Sequence, residues 1–260
     1  MKGQRNLALS FEPFEVITNL EIRPIQNLPE IRPGMNLSEC LRDGLRASDS
    51  SIQSGDILAV TQKVISKAEG RIVILTSIEP SAQSLAIARR SGKDARLVEV
   101  ILQESRRIVR MRGEVMICET HHGFICANAG VDQSNVEGED TVTLLPKDPD
   151  RSAREIADAL GCGVIITDTF GRVWREGLLD TAIGIARVPL FVDFRGTSDT
   201  YGHPLRATLL AAADALAAAA GLVMGKTSGT PAALIRGFQW AEANSSVTAL
   251  LRTPDKDLFL

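Results

Sequence analysis

Asp168 and Thr169 follow an apolar, β-branched run in the sequence IITDTFGR. This run is typical of a buried strand, and a strand that ends here in a polar loop would present two hard oxygen ligands, which Mg²⁺ and Mn²⁺ prefer. The alternative is an aspartate that only caps the next turn. A second acidic side chain would favour the metal, and Asp132 in NAGVDQSNV offers one. The sequence predicts a metal site if these two segments converge.

Basic residues recur every four positions after another apolar segment, at Lys63, Lys67 and Arg71. The spacing would align three cations on one face of a helix, or bring two of them near one anion in a loop. A solvated basic face is the commoner reason for such a pattern. The position directly after a predicted strand, residues 57–61, favours anion binding, because α/β proteins often gather ligands at strand ends.

The sequence GLVMGKT, residues 221–227, invites comparison with a phosphate-binding P-loop. A P-loop has four residues between its first glycine and the Gly-Lys-Ser/Thr, whereas three are present here, and an alanine-rich helix precedes them instead of a strand. A helix C-cap with a solvated lysine is therefore the preferred interpretation. Gly225 and Lys226 remain usable for a phosphate in another geometry.

Adjacent histidines, His121 and His122, open the stretch HHGFICANAGVDQSNV, which also contains Cys126. A metal site, a nucleotide-binding loop and a polar turn between strands are three interpretations of this stretch. Neighbouring residues of a strand point to opposite faces, and both histidines could not easily bind one ion. His203, which precedes Pro204, is interpreted as a structural residue at a helix start.

The composition excludes several classes of function. Of 260 residues 44% are hydrophobic and 23% charged, and a net charge of −3 argues against nucleic-acid binding, which needs concentrated Lys and Arg. Four cysteines without CxxC spacing indicate reduced thiols in the cytoplasm. Ser10 and Glu12 interrupt the N-terminal apolar run too early for a signal peptide. The alanine-rich segment 207–225 contains Asp214 and is predicted to be a buried soluble helix, and no membrane association is expected.

Strand-like and helical segments are mixed without a regular βαβ period, which favours an α+β fold. No repeat or low-complexity linker divides residues 1–260, so one domain is predicted. Strands are predicted in FEVITNLEI, RRIVRM, EVMICET and GFICAN, and helices in LSECLRDGL and over residues 80–90 and 94–104. In DTVTLLPKDPDRSAREIADAL a strand and a turn precede a helix whose N-cap is predicted to be Asp150 or Ser152.

From about residue 28 to residue 237 the sequence resembles the coenzyme F420-0:L-glutamate ligase family, also called F420-0:γ-glutamyl ligases. The segments that carry the resemblance are LPEI, GDILAVTQKVISKAEGRIV, HHGFICANAGVDQSNV, LLPKDPDRSA, VIITDTFGRVWREGLLDTAIGIA and PAALIRGF. The probability that so many segments agree in the same order by chance is very small.

The resemblance implies a two-lobed α+β fold, an intertwined homodimer, and a reaction in which L-glutamate is joined to the phospholactyl carboxylate of F420-0 while GTP is cleaved to GDP and phosphate. Further γ-linked glutamates can follow. The implied cofactor is Mg²⁺ or Mn²⁺, and the family pattern leaves room for K⁺ as well. The C-terminal reductase-like domain of some relatives is not expected here.

Residue by residue, the resemblance implies catalytic roles for Lys67, Asp132 and Asp168, and metal ligation by Asp132, Asp168 and Thr169. It implies nucleotide contacts for Leu28, Pro29, Glu30, Ile31, Gln62, Lys63, Lys67, Asn135, Met224, Gly225 and Lys226. Two positions depart from the family pattern. An acidic or amide residue that helps to bind a second metal can stand in place of Lys226, and an arginine is common in place of His121.

Arg172 and Arg175, just beyond the predicted metal ligands, are our candidates for binding a substrate carboxylate or phosphate. Two other functions remain open at this stage. Paired aspartates with cations also suit a metal-dependent phosphatase or nucleotidase. The departures at Lys226 and His121 suit a catalytically silent GTP-binding protein.

Overall fold

A five-stranded mixed sheet lies within the larger of two hydrophobic clusters. The structure, a computed structural model, describes residue 17 and residues 19–259. The strands are β1 (Glu21–Ile25), β2 (Ile57–Thr61), β3 (Ile72–Ile74), β4 (Ser105–Arg112), β5 (Val115–Thr120), β6 (Ile125–Ala127), β7 (Thr141–Thr143), β8 (Gly163–Arg172), β9 (Arg175–Ala186), β10 (Phe191–Asp193), β11 (Leu209–Ala211) and β12 (Ala232–Arg236). The central sheet has the order β1-β12-β2-β8-β9, in which only β2 and β8 are parallel.

Six α-helices are present in the described residues. They are α1 (Leu37–Ala47), α2 (Gln62–Ala68), α3 (Ala82–Ser91), α4 (Ala95–Gln103), α5 (Pro149–Leu160) and α6 (Ala212–Met224). Together with several sheets they confirm the predicted mixture of α and β structure. The helices predicted around α1, α3 and α4 are confirmed, and each begins at a residue whose side chain accepts a backbone N–H, namely Asn36, Ser81 and Asp94.

The N-cap predicted for α5 is wrong. Asp148 caps this helix by accepting the backbone N–H of Arg151, because Pro149 occupies the first helical position, where no N–H is needed. Asp150 turns inward instead and accepts the backbone N–H groups of Ile185 and Val247. Ser152 donates its hydroxyl hydrogen to a carboxylate outside the helix.

Strand β8 does not end at the predicted polar loop. It continues through Asp168, which pairs with Thr181, as far as Arg172, and a turn at residues 173–174 leads into β9. Antiparallel pairing with β9 satisfies the backbone hydrogen bonds of this polar half of β8. The residue types alone did not indicate that the strand continues here. Of the strand predicted at residues 14–22, only the last two residues belong to β1, and residues 14–16 and 18 lie outside the described part of the chain.

The second hydrophobic cluster lies among α3, α4 and the smaller sheets. Strands β4, β5 and β6 form one antiparallel sheet, and β3 pairs with β7. Fully buried members include Val98, Ile101, Met116 and Cys118. The strands predicted here are confirmed, and they carry the segment that contains Asp132.

The alanine-rich segment forms α6 only from Ala212, since residues 209–211 belong to β11. Helix α6 packs against β9 and is buried along one side, as predicted. None of the helices in the described residues combines the length and apolar character needed to cross a membrane. His203 does not start a helix; it lies between β10 and β11, where its backbone N–H and its ring contact Asp199.

Candidate active site

The carboxyl ends of β2 and the apolar half of β8 bring together the first site residues. The two strands pair in parallel from Ile57–Gly163 to Thr61–Thr167. Helix α2 begins directly after β2 and presents Lys63 in its first turn, while β8 continues to Asp168. Parallel strands end at the same edge of a sheet, and Lys63 and Asp168 are close enough here for their charges to interact.

Asp132 reaches this edge from the second cluster. Its carboxylate Oδ2 accepts a hydrogen bond from Lys63 Nζ at 2.5 Å, and Lys63 also donates to the backbone carbonyl of Ser134 at 2.7 Å. The Asp132 backbone is fixed by a two-way bridge with Thr143. Burial alone would raise the pKa of Asp132, but hydrogen bonds from Lys63 and Ser134 outweigh it and leave the pKa below its usual value.

The chain before Asp132 adopts an uncommon backbone conformation. Asn128, Ala129 and Gly130 all have left-handed φ angles, of 53°, 54° and 74°. A Cβ at Gly130 would lie 2.5 Å from the side chain of Leu145, so this position needs glycine for space as well as for φ. Asn135, a predicted nucleotide contact, is also left-handed and exposed. The small residues of this stretch therefore allow the tight backbone conformation that positions Asp132.

Asp168 has the most perturbed carboxyl group of the site. Burial, supported by the negative charges of Asp132 and Asp180, raises its pKa to about 7, although the backbone N–H of Thr169 and the charge of Lys63 oppose this effect. Two carboxylates that repel each other across a partly buried site favour a cation between them. Their oxygens are the ligands that Mg²⁺ and Mn²⁺ prefer, and the residues present fit one such ion.

The described residues contain no cluster of three or more His, Cys, Asp or Glu side chains placed to hold a metal ion. The protein would therefore supply two carboxylates, and water or ligand oxygens would complete the coordination. The structure brings the carboxylates of Asp132 and Asp168 near each other. That they bind a metal ion stays a prediction.

Thr169 lies beside a residue that sequence analysis missed. Its hydroxyl donates to Asp180 Oδ1 at 2.5 Å, and Lys226 Nζ lies 2.7 Å from both the Thr169 hydroxyl and Asp180 Oδ1. Asp180 is buried on β9. A signal was present, because an aspartate interrupts the apolar strand LLDTAIGIA, but only the β8–β9 register reveals which residue it faces.

Lys67 lies apart from Lys63, buried in the last turn of α2, and donates to the carboxylate of Glu30. The segment 28–31 thus lies next to α2, and the nucleotide contacts predicted for both stay predictions. Gln62, also buried, accepts a hydrogen bond from Ser66 and is held within the helix. Arg71 binds Glu104 instead of joining the other two cations. The three cations spaced by four therefore meet three different carboxylates.

Gly225 and Lys226 directly follow α6, whose last residue is the buried Met224, and the interpretation of GLVMGKT as a helix C-terminus is confirmed. The lysine is not merely solvated, as that interpretation had it, because it binds Asp180 and Thr169. Arg172 and Arg175 pair with each other at the exposed end of the β8–β9 hairpin, and Arg172 donates to the carbonyl of Glu176. Their role in substrate binding stays a prediction.

The histidines are engaged by backbone groups. They lie in the turn between β5 and β6 and not on a strand: His121 Nε2 contacts the carbonyl of Gln103 at 2.8 Å, and His122 Nε2 that of Pro146 at 2.9 Å. Burial raises the pKa of Cys126 to about 12, which disfavours a metal-binding thiolate at neutral pH. These observations favour a polar turn over a transition-metal site.

Comparisons with known proteins match most of the chain to one family. Residues 26–237 match the family described as F420-0:Gamma-glutamyl ligase. Coenzyme F420:L-glutamate ligase of Methanopyrus kandleri is 43% identical over 254 residues, which cover 94% of this chain and 98% of that protein. The proteins of the same name from Methanothermobacter thermautotrophicus and Methanocaldococcus jannaschii are 42% and 38% identical, over 90% and 89% of this chain and 96% and 94% of their own lengths.

Proposed function

The chain belongs to the F420-0:γ-glutamyl ligase family, and from this we propose that it joins L-glutamate to coenzyme F420-0 with cleavage of GTP to GDP and phosphate. The observation that carries the proposal is the convergence of Asp132, Asp168 and Lys63, from three separate segments, at one edge of the central sheet. Two carboxylates and a cation at one point suit phosphoryl transfer, where catalysis is mainly positioning and charge neutralisation.

The reaction requires activation of a carboxylate, because its leaving group would otherwise be oxide. A phospholactyl carboxylate oxygen attacks the γ-phosphorus of GTP, the bond from that phosphorus to the bridging oxygen breaks, and GDP leaves. The amine of glutamate then attacks the carbonyl carbon of the acyl phosphate, phosphate departs with the bonding pair, and the amine loses a proton to give the amide. Repetition at a γ-carboxyl would extend the chain of glutamates.

Residues of this chain have separate tasks in the proposed reaction. Asp132 and Asp168 would hold a Mg²⁺ or Mn²⁺ ion, which when bound neutralises phosphate charge. Lys63 holds the Asp132 carboxylate in position. Lys67 would neutralise charge on the departing GDP, and its present partner Glu30 is exposed, so that the pair can open when a nucleotide binds. Arg172 and Arg175 are proposed to bind the substrate's anionic groups.

The test is to incubate the purified protein with F420-0, L-glutamate, GTP and Mg²⁺ or Mn²⁺, and to count added glutamates by mass spectrometry while GDP is quantified. We expect amide product in proportion to GDP, with neither formed when F420-0 is omitted. ATP in place of GTP is the control for the nucleotide.

Two outcomes would contradict the ligase. Phosphate release without F420-0 or glutamate would favour a metal-dependent phosphatase or nucleotidase. GTP binding with no turnover under either metal would favour a silent nucleotide-binding protein. A homodimer in the cytoplasm is proposed as the working form, and sedimentation of the purified chain tests the dimer.

A further inference from the structure

A lysine lies against the hydroxyl of Thr169 and the carboxylate of Asp180. Lys226 follows the end of α6, and its Nζ is 2.7 Å from Thr169 Oγ1 and 2.7 Å from Asp180 Oδ1. The hydroxyl of Thr169 donates to the same Oδ1 at 2.5 Å. One ammonium group is thus centred on two oxygens from β8 and β9, next to the strand position of Asp168.

The Asp180 carboxylate is enclosed on its other side by α6. Its side chain is only 4% exposed, and a Cβ at Gly221 would lie 2.4 Å from Oδ2. Oδ1 is therefore the oxygen directed toward Thr169 and Lys226. A buried carboxylate needs a nearby positive charge or hydrogen bonds, and within the described residues the cation that pairs with Asp180 is Lys226.

An ammonium group and a divalent ion cannot both lie against the same carboxylate oxygen without strong repulsion, because two cations on one atom are only a few ångströms apart. At Asp132 the ammonium group of Lys63 lies on Oδ2, and Oδ1, which accepts the backbone N–H of Ser134, remains for an ion. At Asp180 the ammonium group of Lys226 lies on Oδ1 itself, and Oδ2 is enclosed against Gly221. A protonated amine also has no lone pair with which to ligate a metal. Lys226 uses two of its three N–H donors on Thr169 and Asp180, and its side chain is 58% exposed. The third donor remains for an anionic ligand such as a phosphate oxygen.

We propose that the ammonium group of Lys226 takes the place of a second divalent cation at Thr169 and Asp180, so that this chain holds one divalent ion, at Asp132 and Asp168. The inference rests on the proposed metal-dependent reaction. Lys226 is then the residue that sets the number of metal ions, and Thr169 serves as a hydrogen-bonding partner of Lys226 in place of a metal ligand.

The experiment counts Mn²⁺ ions per chain by equilibrium dialysis and by electron paramagnetic resonance of free Mn²⁺, with and without GDP. Wild type is compared with Lys226→Glu, which adds a carboxylate beside Thr169 and Asp180, and with the milder Lys226→Gln. Lys256→Glu, at a residue exposed at the far end of the chain, is the charge-matched control. Thermal melting in EDTA checks that each variant folds.

We expect one Mn²⁺ in wild type and in Lys256→Glu, two in Lys226→Glu, and a second site in Lys226→Gln that binds about tenfold or more weakly than the one in Lys226→Glu. Two ions in wild type, or no gain in either Lys226 variant, would overturn the inference. The two proposals fail separately. The count in wild type tests the site at Asp132 and Asp168, whereas the increment on replacing Lys226 tests this inference even if wild type binds none.

Discussion

Lys63 and Asp132, which are 69 residues apart in the chain, are joined by a hydrogen-bonded ion pair of 2.5 Å between Nζ and Oδ2. Lys63 belongs to the first turn of α2, whereas Asp132 follows the left-handed segment that leaves β6. The pair thus links the central sheet to the smaller sheets at the position where Asp168 has its perturbed carboxyl group.

Replacing Asp132 by Asn should abolish most ligation, because an amide cannot carry the negative charge that holds a cation. We expect kcat/KM to fall by about 10²-fold or more, as for loss of one essential electrostatic contact, and Mn²⁺ affinity to fall with it. Asp140→Asn is the control. Asp140 lies in the same segment, is partly exposed and binds Arg96, and its replacement should leave both ligation and Mn²⁺ affinity unchanged. Unchanged Mn²⁺ binding in Asp132→Asn would show that the metal lies elsewhere.

Lys67→Gln should weaken the use of GTP more than it weakens the fold. If Lys67 contacts phosphate, removing its charge costs about 1.5–3 kcal/mol, or roughly 10- to 100-fold in kcat/KM for GTP. Lys67→Arg should recover part of the loss because it keeps the charge. Glu30→Gln separates the two roles of Lys67. It breaks the ion pair but leaves the cation, and a loss as large as that of Lys67→Gln would indicate that Glu30 itself is needed, through the pair or through its own predicted nucleotide contact.

Asp168→Asn should stabilise the metal-free protein at high pH. The pKa of Asp168 is about 7 in the folded chain against a usual value of 3.8, so the folded protein holds this proton more tightly than the unfolded chain does. That contribution to stability is fully present below 3.8 and is lost as the pH rises through about 7. Asparagine does not titrate and avoids the loss.

Melting in EDTA at about pH 5 and about pH 8 checks this expectation. The Tm of Asp168→Asn relative to wild type should rise by several degrees between the two pH values. Mg²⁺ in place of EDTA should raise the Tm of wild type and of Asp140→Asn but not that of Asp168→Asn. Asp140→Asn should follow wild type at both values, and a difference between Asp168→Asn and wild type that does not change with pH would count against a buried carboxyl at Asp168.

Asp150→Ala should destabilise the fold by about 2–4 kcal/mol, because two buried backbone N–H groups would lose their acceptor. Asp150 accepts from Ile185 at 2.8 Å and from Val247 at 3.1 Å and so ties β9 and the chain near residue 247 to α5. Asp158→Ala on the same helix removes only an exposed ion pair with Arg187, worth less than about 1 kcal/mol. Urea unfolding of both variants compares the two, and equal losses would contradict the role of Asp150.

Local chemistry made much of the fold predictable. Helices α1, α3 and α4 follow from apolar spacing and polar caps, and the strands β4 to β6 follow from β-branched runs. The cap of α5 was missed because three acidic or hydroxyl side chains compete within five residues, and Pro149 decides among them. The polar half of β8 was not predicted as strand because its residues are not typical of one. Its backbone is held in the sheet by pairing with β9.

The site was predictable residue by residue but not contact by contact. Asp132, Asp168 and Lys63 could be named from their types and positions, whereas the ion pair that joins two of them depends on how the two hydrophobic clusters meet. Asp180 was missed because it becomes a partner of Thr169 only through strand register. Register is a property of two segments together, and neither segment reveals it alone.

Gly221→Ala tests whether the close approach of α6 to Asp180 matters. Alanine favours a helix by about 1 kcal/mol over glycine, and in an open position the change would stabilise α6. Here the new Cβ would lie 2.4 Å from Oδ2 and 2.9 Å from Cγ of Asp180, so the carboxylate or the helix must move. We expect a net loss of about 1–3 kcal/mol, as for overpacking of a core, and weaker ligation because Thr169 and Lys226 both bind Oδ1 of the carboxylate group that would be displaced. Gly171→Ala, where a Cβ meets nothing within 4 Å, is the control. Urea unfolding and the ligation assay measure both effects, and a Gly221→Ala protein more stable than wild type would mean that Asp180 is free to move without cost.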